Sequence, residues 1–192
     1  MSHLSNFIAI DFETAIRSPE SAIAIGLVKF RNLKLEASFY SLICPPKLYI
    51  RPDFTKIHGL TIDDVKEAPS FNNIWDSMVK PFIESYPLVA HNSKFDIGVL
   101  NAVLKYYDIP IPELQSFCTL KMARHVWSGL KSYSLTALAE NFGIHYNAHN
   151  ALDDATVCGK LIQTAVSEKS SKCLLDKYCL DWYDSKEMES VL

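Results

Sequence analysis

Three apolar runs near the start of the chain, residues 7–11, 21–30 and 35–43, constrain its fold most strongly. They are rich in Ile, Val, Phe and Tyr, which favour β-strands, and only short polar stretches separate them. We therefore predict three consecutive strands, and the pair Pro45-Pro46 should end the third of them.

Short apolar strands alternate with helical patterns over the rest of the chain. The sequence predicts strands at residues 87–90 and 116–119, and helices from about Phe95 and over residues 120–127, 135–140 and 151–167. Consecutive strands followed by alternating strands and helices are typical of an α/β domain. We expect a sheet of mixed strand direction with helices packed on it.

The segment between the third and fourth strands should contain a loop and two helices. We expect a loop to about Asp53, a short helix opened by a capping box at Thr61–Asp64, and a helix from the Ser70 cap to about Glu84. Pro81 should kink the last turn of the longer helix. Asn92 should cap the helix near Phe95 or hold the turn before it with its side chain.

Composition places the chain among globular proteins. It has 192 residues, 48% of them hydrophobic and 21% charged, which suits one domain with a sizeable core. No apolar stretch approaches the roughly 20 residues of a membrane span, and the N-terminus has no signal-peptide pattern. The five cysteines are odd in number and include no CxxC pair, so we expect reduced thiols in a cytoplasm.

Net charge does not decide whether the partner is a nucleic acid. The formal charge of −3, from 22 acids and 19 bases, argues mildly against a nucleic-acid binder, because such proteins are usually basic. Two divalent cations held by the acids would raise it to about +1. Two basic groups are candidates either for phosphate contacts or for ordinary solvated residues: Lys29, Arg31 and Lys34, and Lys121, Arg124 and Lys131.

Two acids, Asp11 and Glu13, lie at the end of the apolar run 7–10. They are two residues apart on a predicted strand, so both side chains point to the same face. Carboxylates at the edge of a buried core are costly unless a positive charge lies between them, and a divalent metal ion is the simplest remedy. The alternatives are an exposed pair on an edge strand, or a helix cap beside Thr14.

Three further segments carry candidate residues that are weak when taken singly. Asp96 follows a strand at the start of a helix, where an acid is favourable in any case. His149 precedes Asp154 by five residues, so its ring can face the same site from the loop before the helix, while Asp153 points elsewhere. Alone, His149 is typical of a surface histidine, and His58 beside Gly59 is typical of a turn.

Taken together and in this order, these segments resemble the DEDDh family of 3′→5′ exonucleases. That family includes the proofreading subunit of bacterial DNA polymerase III and stand-alone enzymes. The matching segments are Asp11–Thr14, Ile57–Thr61, His91–Asp96, Tyr133–Ala139 and His149–Ala155. The last, H-x-A-x-x-D-A, is specific and marks the histidine branch of the family. The resemblance covers roughly residues 5–165.

The resemblance implies a fold and a set of site residues. The fold is RNase H-like, a mixed five-stranded sheet flanked by helices. The residues that would bind two divalent ions, Mg²⁺ or Mn²⁺, are Asp11, Glu13, Asp96 and Asp154. His149 would be the general base, and the residues that would bind the 3′-terminal nucleotide are Phe12, Thr14, His58 and Phe95. Phe12 points away from the acids on ideal strand geometry, so its contact would come from its backbone.

The resemblance implies a metal-dependent 3′→5′ exonuclease that releases nucleoside 5′-monophosphates from DNA, as in proofreading or repair. One alternative is an RNA-directed exonuclease, since the same metal site serves either nucleic acid. Another is a catalytically silent module that binds a polymerase or nucleic acid, although all five catalytic positions are filled here.

The predicted organisation is an exonuclease domain over residues 1–169 and an apolar tail over 170–192 that packs on the body or docks a partner. The expected substrate is nucleic acid with a free 3′ end, single-stranded at that end. A DNA polymerase subunit and a second copy of the chain are candidate protein partners, and no membrane is expected.

Overall fold

One five-stranded sheet forms the centre of the computed structural model, which describes residues 4–168. Its strands are β1 Phe7–Thr14, β2 Ala22–Arg31, β3 Lys34–Leu42, β4 Leu88–Ala90 and β5 Ser116–Cys118. They lie in the order β3-β2-β1-β4-β5. The first three strands pair antiparallel, whereas β4 runs parallel to β1 and β5 parallel to β4. The predicted mixed five-stranded sheet is confirmed.

Helical segments cover both faces of this sheet. They are α1 Pro52–His58, α2 Ile62–Val65, α3 Phe71–Ile74, a π-helical turn Trp75–Val79, α4 Lys80–Ile83, α5 Ser93–Tyr106, α6 Thr119–Val126, α7 Leu135–Asn141 and α8 Ala151–Ser167. Helices α6, α7 and α8 pack on one face, while α3, the π-helical turn, α4 and α5 pack on the other. Among residues 4–168, no helix combines the length and apolarity that crossing a membrane requires.

The alternation of side chains along β1 divides the core into two clusters. Phe7 and Ala9 point towards α8, and the Phe7 ring stacks on Phe30 of β2 with ring centroids 4.8 Å apart. Ile8 and Ile10 point to the opposite face and pack with the cluster around Phe71 and Trp75. By the same alternation, Asp11 and Glu13 continue the row that faces α8.

The segment between β3 and β4 differs most from the sequence prediction. The expected loop is interrupted by α1, which begins at Pro52 and has no buried residue. The capping box of α2 is confirmed, with the Thr61 N–H donating to Asp64 Oδ2 at 2.7 Å. Helix α1 lies on the surface, and its polarity hid it from a search for apolar periodicity.

The single helix predicted from Ser70 to Glu84 is wrong in its interior. A π-helical turn interrupts it, closed by a hydrogen bond from the Lys80 N–H to the Trp75 carbonyl. A π-helical turn is wider than an α-helical one, and this turn ends two residues before Pro81, which has no N–H to donate. The Ser70 hydroxyl donates to Asn72 Oδ1 instead of capping the helix.

Two smaller expectations can also be compared with the structure. Asn92 has a positive φ of 73° and makes no side-chain cap bond, so the start of α5 is set by its backbone rather than by its amide. The three cysteines within the described residues, Cys44, Cys118 and Cys158, are free thiols. The tail predicted at 170–192 lies outside the described residues.

The packing of α8 against Phe30 predicts the effect of one substitution. A Cβ placed on Gly159 would lie 2.1 Å from Cε2 of Phe30, and that ring cannot withdraw because it is buried and stacked on Phe7. We expect Gly159→Ala to lower the free energy of unfolding by about 1–3 kcal/mol, measured by urea denaturation. Gly98→Ala in α5 is the control, because a Cβ there meets nothing within 4 Å. A Gly159 variant as stable as this control would contradict the packing argument.

Candidate active site

The four acids singled out in the sequence converge at the carboxyl end of β1. Asp11 and Glu13 are on that strand, Asp96 is in the first turn of α5, and Asp154 is in the first turn of α8. Because β4 runs parallel to β1, the helix that follows β4 begins at the same edge of the sheet. The Phe12 N–H donates to Asp96 Oδ1 at 3.1 Å, which ties α5 to β1.

That hydrogen bond also shows how Phe12 contributes. Its side chain is 2% exposed and packs near Phe71, with ring centroids 6.3 Å apart. Only its backbone faces the acids.

Gly26 allows α8 to reach the acids. It lies opposite Asp11 on β2, and a Cβ placed there would be 2.2 Å from the Ala151 carbonyl oxygen. The first residue of α8 therefore rests directly on the strand. Asn150 caps this helix end, with its Oδ1 accepting from the N–H groups of Leu152 and Asp153 at 3.1 and 3.2 Å. The sequence prediction missed Gly26, although a glycine inside an apolar strand is a recognised sign of close backbone approach.

His149 and Asp154 are held together by the backbone of the loop before α8. The His149 N–H donates to Asp154 Oδ2 at 2.9 Å, and His149 has a positive φ of 63°. One potential ligand atom from each of Glu13, His149 and Asp154 lies within 4.8 Å of the other two. Asp153 points elsewhere, since its Oδ2 accepts from the Asn147 N–H at 3.2 Å.

Burial raises the pKa of every acid in this group, and repulsion between the acids adds to it for Asp11, Glu13 and Asp96. Burial raises the pKa of Asp11 well above its usual value, and Asp96, Asp154 and Glu13 raise it further. Burial also raises the pKa of Glu13, from 4.5 to about 8, with added repulsion from Asp154 and Asp96. The pKa values of Asp96 and Asp154 are raised too, again chiefly by burial.

These residues fit a divalent cation. Asp96 Oδ2 is buried and has no hydrogen-bond partner within the described residues. A cation between the carboxylates would give this oxygen a partner and would favour the ionised form of each acid. Carboxylate oxygens are ligands suited to Mg²⁺ or Mn²⁺.

The candidate substrate-binding residues lie around the same edge. Glu13, His58 and His149 line a small cavity of about 20 Å³, together with Tyr40 of β3. Thr14 is buried beside His58, and the Phe95 ring is 47% exposed at the start of α5.

His58 is held by its own loop. Its Nδ1 accepts from the Leu60 N–H at 3.0 Å, so its proton is on Nε2. Nε2 is buried and lies near the Thr14 carbonyl, but it forms no well-directed hydrogen bond with any described residue. Burial lowers the pKa of His58, and the nearby His149 lowers it further.

Two tyrosines in the site were missed by sequence reasoning. Tyr40 lies opposite Gly26, which lies opposite Asp11, so these three residues form one row across the sheet. The Tyr146 hydroxyl donates to the Asp154 carboxylate and lies 3.4 Å from Thr136 Oγ1. Neither tyrosine belongs to a sequence motif, because strand register and loop conformation bring them to the acids.

Comparison with known proteins identifies the family. Residues 8–162 match the family model described as Exonuclease. The chain belongs to the exonuclease family. It is therefore a 3′→5′ exonuclease, as the DEDDh resemblance predicted.

Curated relatives of this exonuclease include DNA polymerase III epsilon subunits. The protein of that name from Treponema pallidum is 33% identical over 191 residues, covering 97% of this chain and 86% of the relative. The one from Aquifex aeolicus is 31% identical over 186 residues, covering 95% of this chain and 89% of the relative.

Solved structures share the fold. Exonuclease X, in complex with 5′ overhanging duplex DNA, is 25% identical with a TM-score of 0.66, covering 84% of this chain and 91% of that one. The nuclease domain of 3′hExo, a DEDDh family member bound to rAMP, has a TM-score of 0.74 at 19% identity, covering 88% of this chain and 96% of that one. At 19% identity, the second likeness speaks only for the fold.

The raised carboxyl pKa values predict a pH-dependent effect of metal removal on stability. A carboxyl whose pKa is higher in the folded state stabilises that state at low pH and loses this contribution as the pH rises through the folded pKa. For Glu13 the window runs from 4.5 to about 8. In EDTA we expect the Tm to fall between about pH 7 and about pH 8, and saturating Mg²⁺ to raise it more at the higher pH.

The variant Glu13→Gln is the comparison for this measurement, because it removes one titrating group. Its Tm should depend less on pH in EDTA and respond less to Mg²⁺. His58 and His91 do not confound the result, since burial lowers the pKa of both and they are neutral in this range. Equal Mg²⁺ stabilisation at the two pH values would contradict the electrostatic account.

Proposed function

We propose that this exonuclease degrades DNA from a free, single-stranded 3′ end and releases nucleoside 5′-monophosphates with the help of two divalent ions, Mg²⁺ or Mn²⁺. The observation that carries the proposal is the convergence of Asp11, Glu13, Asp96 and Asp154 at one sheet edge, with an unpartnered buried oxygen on Asp96. Ionised acids buried this close together are costly unless a cation lies between them.

In this proposal the four acids hold the ions and His149 accepts a proton. When bound, such ions lower the pKa of a coordinated water and stabilise the leaving oxygen of a phosphodiester. His149 lies beside Asp154, and its side chain is exposed, so it can take the proton of the attacking water.

The remaining site residues would position the terminal nucleotide. The exposed Phe95 ring is suited to stacking on a base or sugar, and His58 lines the cavity beside Glu13. Thr14 and Phe12 are buried, so each would contact substrate through its backbone.

Relatives favour DNA over RNA. The curated relatives are named as DNA polymerase subunits, and Exonuclease X was solved with DNA. RNA is the second candidate, because the same metal site serves either nucleic acid. Discrimination would depend on whether the pocket tolerates a 2′-hydroxyl. A catalytically silent module is disfavoured, because all five catalytic positions are filled.

The names of the relatives also support a DNA polymerase subunit as a protein partner. A second copy of the chain as partner, the cytoplasmic location, the domain boundary after residue 169 and a docking role for 170–192 stay predictions.

Asp154→Asn should remove nearly all nuclease activity while preserving the fold. The amide keeps the shape of the side chain but loses the charge that would hold a metal ion, so we expect kcat to fall at least about a hundredfold. Asp153→Asn is the matched control, since the neighbouring acid points away from the site. Near-equal activity of the two variants on a 3′-ended oligonucleotide with Mg²⁺ would refute the metal-ligand assignment.

His149→Asn should separate proton transfer from metal binding. Asparagine tolerates the positive φ at this position better than alanine does, so the loop should keep its conformation. We expect turnover to fall by about 10²–10⁴-fold while Mn²⁺ affinity, measured by calorimetry, changes little. Comparable losses in both would show that His149 is a metal ligand rather than a general base.

Substrate preference can be measured directly. Matched oligonucleotides of single-stranded DNA, duplex DNA with a 3′ mismatch, and single-stranded RNA should be digested with Mg²⁺ and with EDTA. We expect the highest kcat/KM on single-stranded DNA, a lower value on the mismatched duplex, and no cleavage in EDTA. A higher kcat/KM on single-stranded RNA than on single-stranded DNA would contradict the DNA proposal and make RNA the substrate.

A further inference from the structure

The two basic groups seen in the sequence have different environments in the structure. Lys29 pairs with Glu84 at 2.8 Å, and Arg31 pairs with Glu36 at 3.2 Å. Those cations are already used within the fold. Arg124 and Lys131 are exposed and form no ion pair with any residue between 4 and 168.

Arg124 and Lys131 line the same open groove. Its volume is about 420 Å³, and its other polar walls are His91, Ser132 and Ser134. A groove with two unpaired cations and hydroxyl groups, and without an acid among its lining residues, is chemically suited to phosphate groups.

Partly buried hydrogen bonds hold the wall that carries Lys131. His91 Nε2 bonds the Tyr133 carbonyl at 2.9 Å, and His91 Nδ1 bonds Thr119 Oγ1 at 3.0 Å. Because a carbonyl only accepts, Nε2 carries the proton. The Tyr133 hydroxyl donates to the Trp127 carbonyl at 2.9 Å and accepts from the Leu130 N–H at 3.2 Å. The loop between α6 and α7 is therefore fixed to the sheet before any ligand arrives.

The groove opens at the same end of the sheet as the acids. His91 immediately follows β4, and Thr119 immediately follows β5. Since β1, β4 and β5 are parallel neighbours, the carboxyl ends of all three lie at the same end of the sheet. Two strand spacings are roughly 10 Å. This distance is within reach of the nucleotides that directly precede the 3′ end of a bound strand.

We propose that this groove binds the sugar–phosphate backbone of the substrate strand just upstream of its 3′-terminal nucleotide. Arg124 and Lys131 pair with phosphates there, while the terminal nucleotide lies among the acids. The inference rests on the proposed nuclease function and adds a second binding site to it. An acidic centre attracts the phosphate it cleaves only through its metal ions, so cations further along the strand supply affinity that the centre lacks.

The test compares a substrate that reaches the groove with one that cannot. The first is an eight-nucleotide single-stranded DNA, and the second is the p-nitrophenyl ester of thymidine 5′-monophosphate, which has no upstream phosphate. For Arg124→Ala/Lys131→Ala we expect KM on the oligonucleotide to rise roughly tenfold or more with kcat unchanged. Both constants for the ester should stay at their wild-type values.

Salt dependence and chain length give two further readouts. The slope of log kcat/KM against log[KCl] should become shallower by about 0.7 for each phosphate that the variant no longer neutralises. In a series of two, four and eight nucleotides, the double variant should match wild type on the dinucleotide and show its full defect by the tetranucleotide. Lys131→Arg keeps the positive charge at this position, so its oligonucleotide KM and salt slope should equal those of wild type. Lys34→Ala is the matched control, because Lys34 begins β3 six residues before Tyr40, at the end of the sheet away from the acids.

Two results would overturn the proposal. One is an oligonucleotide KM for the double variant equal to that of Lys34→Ala. The other is an equal loss on the oligonucleotide and the ester, which would place the effect in the catalytic centre. If wild type cleaves neither substrate, the proposed function fails instead. Fluorescence anisotropy of the labelled oligonucleotide, with wild type and the double variant, then decides on the groove alone.

Discussion

The repulsion among buried carboxylates at the end of β1 is the constraint on which the rest of the structure depends. Asp96 and Asp154 raise the pKa of Asp11 and Glu13, and burial contributes the larger share. The fold nevertheless fixes them with neutral backbone groups: the Phe12 N–H on Asp96 and the His149 N–H on Asp154. These bonds position the oxygens but leave their charge largely uncompensated. A divalent cation held between them would both neutralise the acids and act on a phosphodiester.

Such a centre is possible because the remainder of β1 is strongly buried. Phe7 and Ala9 contribute to the cluster under α8, whereas Ile8 and Ile10 contribute to the cluster on the other face. Each residue before Asp11 therefore adds apolar burial that offsets the cost of the acids that follow. The apolar residues before Asp11 stabilise β1, whereas the residues from Asp11 onwards carry the electrostatic repulsion. The candidate site is therefore confined to the carboxyl end of this strand.

The sequence predicted the parts of this arrangement that local patterns determine. The five strands and α8 followed from apolar runs and periodicity, and the five motif residues from their resemblance to a family. Gly26 and Tyr40 could not be assigned to the site, because their place beside Asp11 depends on how three strands are registered. The π-helical turn before Pro81 was likewise invisible, since several backbone conformations can accommodate a proline.

Basic residues show the same limit and lead to a mechanistic point. In the sequence Lys29 and Lys131 are equivalent cations, but the fold pairs the first with Glu84 and leaves the second in a groove. Charge that is already paired contributes little to binding a distant phosphate, whereas unpaired charge on a rigid loop contributes without a cost of ordering. His91 in the groove wall supplies that rigidity through its hydrogen bond to the Tyr133 carbonyl. A chain with a net charge of −3 can therefore bind a polyanion, because its acids and its unpaired cations lie at different points along the substrate.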